Sequence, residues 1–322
     1  MRRMTAVLGV LLIAAVAASA QVDPAMGNWE GKMISKGYEG QPVSAKVIGT
    51  GRDSYACQLF VGEPAVRGDL EGIADEDAVV LVGTVDFADR GGVVRVTAQI
   101  VDGEFMGVIH EQGKPNARAF RMSRVVKTPP TLGAEPPEGA VVLLDGTNLD
   151  AWEAVPGNLV GDALRIGANS YRTREEFGSF RLHLEFRCPY MPEARGQGRG
   201  NSGVYLQSRY EIQVLDSYGD APADNGCGGI YQIAVPLTNP SLPPMEWQTY
   251  DIDFTAAQFD NGQKTANARV TVRHNGELIH DDVELPNSTA GGAPEDDATG
   301  PLFLQDHNNA VHYRNIWLVK TD

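Results

Sequence analysis

Glu211 and His307 are the side chains in this sequence best suited to moving protons. Glu211 lies in residues 201–216, NSGVYLQSRYEIQVLD, which reads as two strands joined at a tight corner. Both halves alternate, so one face can pack on a core while the other presents polar groups. Tyr210, Ile212 and Val214 share one side of the second strand, and Glu211 and Gln213 the other. On the first strand Val204 and Leu206 oppose Tyr205 and Gln207. Paired, the two strands hold Tyr205, Gln207, Glu211 and Gln213 on one open face. A carboxylate, two carboxamides and a phenol side by side suit a ligand rich in hydroxyls. A carboxyl on a partly desolvated face has a raised pKa and can exchange protons near neutral pH. The competing reading is a carboxylate that only accepts hydrogen bonds from the ligand.

His307 closes the phrase PLFLQDH, with Gln305 on its side of the strand. Imidazole titrates near neutrality and suits proton abstraction, although a surface histidine after a strand has the same signature. Arg314 could clamp a carbonyl or hydroxyl, or pair with a carboxylate at the core edge. Glu185 shares the polar face of residues 179–187 with His183. If that strand lies beside residues 210–215, Glu185 and Glu211 form a carboxylate pair of the kind glycosidases use. Asp216 could bind ligand from the strand end or cap a turn. The Tyr231 ring could stack on a sugar, whereas Trp247 reads as core.

The elements that must position these groups are strands. The 322-residue chain exceeds the usual single-domain size, and its 36 glycines fit many turns between short strands. Residues 42–48, 54–60, 66–73, 78–85, 93–101, 104–110 and 119–124 read as a meander. Asn28-Trp29-Glu30-Gly31 opens it, and Asp102-Gly103 marks a hairpin within it. Residues 21–126 thus form a β-rich accessory unit. The proline-rich stretch 127–139, KTPPTLGAEPPEG, is an extended, semi-rigid linker. From residue 140 to 322 the pattern is again strand and turn, which suggests a two-sheet sandwich. The expected fold is all-β throughout, a sandwich preceded by a smaller β-rich domain.

Charge and processing signals bound the partners. The formal net charge of −15 argues against nucleic acid or an anionic membrane. Residues 1–20 carry a signal-peptide pattern: Met1-Arg2-Arg3, an apolar run, then Ala18-Ser19-Ala20. Cleavage near Ala20 would deliver a periplasmic or secreted protein, and no later segment reads as a membrane span. Cys57, Cys188 and Cys227 leave at least one free thiol; Cys188 and Cys227 could pair. The glycine-rich loops 196–200 and 219–229 lack a phosphate-loop context. Glu295-Asp296-Asp297 could hold calcium, but a solvated loop is the plainer reading. No cofactor is certain; a divalent metal ion is one open option.

Seven phrases in order resemble the domain of unknown function 1080, also called the 3-keto-disaccharide hydrolase family. They are VVLLDGTNLDAW at 141–152, SFRLHLEFR at 179–187, NSGVYLQSRYEIQVLD, GGIYQIAVP at 228–236 with MEWQTYDIDF at 245–254, HNGELIHD at 274–281, and PLFLQDHNNAVHYRNIWLV at 301–319. The resemblance covers residues 140–322. It implies a concanavalin-like jelly roll, a carbohydrate substrate, and cleavage of 3-keto-glycosides by elimination or hydrolysis at the glycosidic bond. On that reading Glu211 and His307 are catalytic, and Glu185, Tyr205, Gln207, Gln213, Asp216, Tyr231, Gln305 and Arg314 bind substrate. A non-catalytic carbohydrate-binding protein and an ordinary β-glucan hydrolase are the alternatives. The absence of an E-x-D-x-x-E phrase weighs against the glucanase.

Overall fold

The computed structural model describes residues 23–88, 92–110, 117–153 and 158–321. The signal-peptide pattern of residues 1–20 lies outside them. Among the described residues there is no α-helix, only a single 3-10 turn at Gly196–Gly198.

The first half closes into a barrel. Its strands are β1 (Gly27–Met33), β2 (Pro42–Gly49), β3 (Ser54–Val61), β4 (Val66–Asp75), β5 (Ala78–Phe87), β6 (Gly92–Val101), β7 (Glu104–His110) and β8 (Arg118–Val125). Each pairs antiparallel with the next, and β8 returns to β1. Period-2 alternation sends Trp29, Val47, Leu59, Leu81, Val96, Phe105, Phe120 and Met122 into one core. Trp29 fills it edge-on against Phe105, and its indole N–H is satisfied by the Ala25 carbonyl at 3.0 Å. Asp102 and Gly103 both take positive φ, as a two-residue hairpin turn requires.

The second half stacks two sheets. The larger contains β9 (Val141–Leu144), β10 (Leu159–Val160), β11 (Ala163–Arg165), β13 (Phe180–Arg187), β16 (Gln248–Thr255), β19 (Ala268–His274), β20 (Glu277–Leu285) and β22 (His312–Lys320). The smaller has the order β12 (Tyr171–Phe177), β21 (Gly300–Asp306), β14 (Ser202–Leu206), β15 (Tyr210–Val214). A separate ribbon pairs β17 (Gln258–Asp260) with β18 (Gln263–Ala266). Between the sheets Leu184, Phe186 and Tyr250 meet Val204, Ile212 and Leu304 in a second apolar core. Two hydrogen bonds cross it: the Tyr250 hydroxyl donates to the Gln213 carbonyl at 2.7 Å, and the hydroxyls of Ser202 and Tyr313 lie 2.7 Å apart.

The stretch 127–139 does not stand free as a spacer. It is laid on the outer face of the larger sheet. Thr131 donates to Asp251 at 2.7 Å, the Gly133 amide to Glu185 at 2.6 Å, and the Ala134 carbonyl accepts from Asn315 at 3.0 Å. All three cysteines are buried as free thiols. No helix among the described residues is long and apolar enough to cross a membrane.

Candidate active site

The smaller sheet positions the site by register. Tyr205 sits opposite Glu211 on one side and Phe303 on the other, and Phe303 opposite Arg172. One step along, Gly203 sits between Gln213 and Gln305. Val204, Ile212, Leu302 and Leu304 turn inward to the core, so Gly203, Tyr205, Glu211, Gln213, Phe303 and Gln305 share the opposite face. Glycine at 203 makes the arrangement possible. A Cβ there would come within 2.1 Å of a Glu211 carboxyl oxygen, so the carboxyl occupies the space a side chain would take.

Glu211 is 6% exposed. Burial pushes its carboxyl up to about 7, partly offset by a hydrogen bond with Tyr205. Burial, and then the Glu211 charge, raise the Tyr205 phenol in turn, so it stays protonated. The Tyr205 hydroxyl has two acceptors competing for its one proton, the Ala290 carbonyl at 3.0 Å and the Glu211 carboxyl, and it receives Gln305 Nε2 at 3.2 Å. The loop carrying Ala290 roofs this corner: Thr289 Oγ1 accepts the Glu211 amide at 2.8 Å, and the Thr289 amide bonds the Arg209 carbonyl. The side toward β21 is more open. There Gln305 and Phe303 are half-buried, His307 and Arg172 are exposed, and the Arg172 guanidinium lies 4.5 Å from the Phe303 ring centre.

His307 follows β21 directly, and its turn is tied to the Glu211 face. Asn309 donates to the His307 carbonyl at 3.3 Å and accepts the Asn201 amide at 2.8 Å; Asn201 in turn accepts Gln213 Nε2 at 2.8 Å. Tyr231 is 38% exposed, two residues beyond the Gly229 carbonyl that accepts the Gln213 amide along the free edge of β15. The structure therefore gathers Glu211, Tyr205, Gln213 and Gln305, with His307 and Tyr231 at the margins.

Four expected site residues stand elsewhere. Gln207 is not on the open face. It and Ser208 form the hairpin turn with φ of 52° and 56°, which breaks the alternation. Its amide donates to the Phe177 carbonyl at 2.9 Å and accepts from Arg209 at 3.0 Å. Glu185 cannot pair with Glu211, because β13 lies in the other sheet between β16 and β22. It is fully buried beneath the 127–139 stretch. Burial alone would raise its carboxyl, but His183, Asn315, the Gly133 amide and Arg314 together hold it at about 2. Arg314 pairs with Glu185 at 2.7 Å and Asp162 at 3.2 Å on that same outer face. Asp216 accepts Arg199 at 2.7 Å and the Tyr218 amide at 3.3 Å, so it closes a turn through a buried ion pair.

Two smaller expectations also change. Trp247 is half-buried rather than core, with Arg314 at 4.1 Å and Arg187 at 4.8 Å from its ring centre. Glu295 is taken up by Tyr210 at 2.5 Å and Lys264 at 2.6 Å, and Asp296 pairs with Arg209. Among the described residues no three His, Cys, Asp or Glu gather at metal-binding distance. Gly203, Phe303 and Asn201 belong to the site without having stood out in the sequence. A glycine inside an alternating strand, and Phe303 at the same parity as Gln305, are the signals that point to them.

The polar face of the smaller sheet thus carries a carboxyl raised toward neutrality by burial, flanked by a phenol and carboxamides. The chain belongs to the family described as the 3-keto-alpha-glucoside-1,2-lyase-like domain, whose profile matches residues 139–319. A crystal structure of a candidate glycosyl hydrolase from Parabacteroides distasonis ATCC 8503 is 33% identical, with a TM-score of 0.53, covering 57% of this chain and 84% of its own. A second from the same organism, with the same description, is 18% identical with a TM-score of 0.43, covering 57% of this chain and 95% of its own. No curated protein matches the chain.

Proposed function

We propose that the protein cleaves glycosides whose sugar carries a ketone at C3. The observation that supports this most is the buried Glu211 carboxyl, raised to about 7, above Gly203. A C3 ketone acidifies the C2 hydrogen. Removal of that proton by Glu211 gives an enolate across C2 and C3. Its electrons then form a C1–C2 double bond as the C1–oxygen bond breaks, and the departing oxygen takes a proton. Addition of water, with hydroxide at C1 and the proton at C2, completes a net hydrolysis. The path needs one group to shuttle protons and donors for the enolate oxygen. We assign the first role to Glu211 and the second to Tyr205 and Gln305. In this reading His307, exposed at the end of β21, protonates the leaving oxygen. Gln213 and Tyr231 bind the sugar.

An ordinary glucanase needs a second carboxyl across the bond, at roughly 5–9.5 Å from the first. Glu185 is on the far sheet, and Asp216, Glu295 and Asp296 are each tied to a cation. Residues 1–20 carry the export signal, so the substrate is met in the periplasm or outside the cell. In this reading the barrel is an accessory unit that docks on the sandwich.

Product analysis tests the reading. The mature protein is mixed with a 3-keto-disaccharide and, in parallel, the unoxidised sugar, each with and without chelator. Cleavage of the keto sugar alone supports it, and loss with chelator would add a metal. Saturable binding of both sugars without cleavage would make the protein a sugar-binding module instead.

A further inference from the structure

A cleft of about 610 Å³ lies where barrel, linker and sandwich meet, away from Glu211. Its size falls within the roughly 300–1,000 Å³ usual for small-ligand sites. Lys46 of β2 enters from the barrel, Lys127 and Thr128 from the linker, and Thr238 and Glu277 from the sandwich. In a chain of net charge −15, the cleft collects two ammonium groups against one carboxylate. Lys46 is held in place, its ammonium 5.7 Å from the Tyr218 ring centre, while the Tyr218 hydroxyl donates to Asn28 at 3.1 Å. Burial, and then repulsion from Lys127, keep the Lys46 ammonium below its usual range, and Glu277 offsets only part of this. Two cations facing one cleft are relieved by a bound anion.

The walls narrow the class of anion. Asn239 and Asn275 are fixed by bonds to the carbonyls of Ser217 and Pro240, both at 2.8–2.9 Å, so the polar rim is rigid. Among the described residues no aromatic ring lines the cleft, which disfavours a nucleobase. Threonine hydroxyls and the Glu277 carboxylate suit a ligand that brings hydroxyls of its own. We propose that this cleft is a second binding site, for a sugar bearing a carboxylate, such as a uronic acid unit. The choice of a sugar acid over another hydroxylated anion rests on the reading of the sandwich as carbohydrate-active. Seated there, the acidic unit of a longer glycan would bridge barrel and sandwich.

Calorimetric titration of the mature chain with a glucuronic-acid disaccharide and its neutral glucose counterpart tests this. The acidic sugar should bind about tenfold tighter or better, with the preference shrinking as salt rises. Lys46→Gln with Lys127→Gln should erase the preference while leaving keto-disaccharide turnover unchanged, so failure here is separable from failure of the proposed reaction. A second measurement needs no variant: the acidic sugar should slow acetylation of Lys46 and Lys127 in the wild type, read by mass spectrometry. Equal affinity for the two sugars, a preference that survives the double substitution, unprotected lysines, or equal competition by inorganic sulfate would each overturn the proposal.

Discussion

Replacing Glu211 with Gln should make the protein more stable as it makes it inactive. The carboxyl titrates at about 7 in the fold against a usual 4.5. A raised carboxyl pKa means the folded state holds the proton more tightly than the unfolded chain does. The stability this confers is fully present below 4.5 and is lost as pH rises through 7. At 1.36 kcal/mol per pH unit, the loss reaches about 3 kcal/mol at pH 8. Gln keeps the shape and the contact with Tyr205 but cannot ionise, so it escapes the loss. The gain over wild type should be near zero at pH 4.5 and about 3 kcal/mol at pH 8, or roughly 6 °C in melting temperature. Urea unfolding of both proteins at the two pH values reads it directly. A gain of equal size at both pH values, or a less stable variant at pH 8, would refute the claim that Glu211 is a buried carboxyl held at a cost for function.

The same titration predicts the pH profile of cleavage: kcat/KM should rise with a midpoint of about 7 as Glu211 becomes a base. Tyr205→Phe should move that midpoint upward, because the Tyr205 hydrogen bond lowers the carboxyl; an unchanged midpoint would remove Tyr205 from the assignment. Gly203→Ala should displace the carboxyl, costing ~1–3 kcal/mol of stability and roughly 100-fold in kcat, checked by melting and steady-state rates. Glu185→Ala should cost about 3–5 kcal/mol by stranding the groups it binds, with the latch of residues 127–139 loosened in hydrogen exchange. Glu185 is depressed, so its stability is present above 4.5 and lost as pH falls toward 2; acid unfolding in that window should be blunted in the variant.

Local periodicity carries much of this protein in its sequence. Side chains on a strand alternate by geometry, so seven barrel strands are readable to within two residues at each end, and alternation alone places Glu211 with Tyr205 and Gln213. That rule fails where the backbone leaves the extended region. Gln207 sits in a turn at positive φ, and parity no longer says where its side chain points. Sheet order is not legible either. Nothing local forbids β13 from neighbouring β15, but its partners are β16 and β22, more than sixty residues away, chosen by how whole apolar faces pack together. That choice separates Glu185 from Glu211 and hands it to Arg314, Asn315 and the linker. The pKa of Glu211 is tertiary as well. The glutamate and the glycine are visible in the chain, but the burial that raises the carboxyl exists only once β14, β15, β21 and the turn at Thr289 are assembled around it.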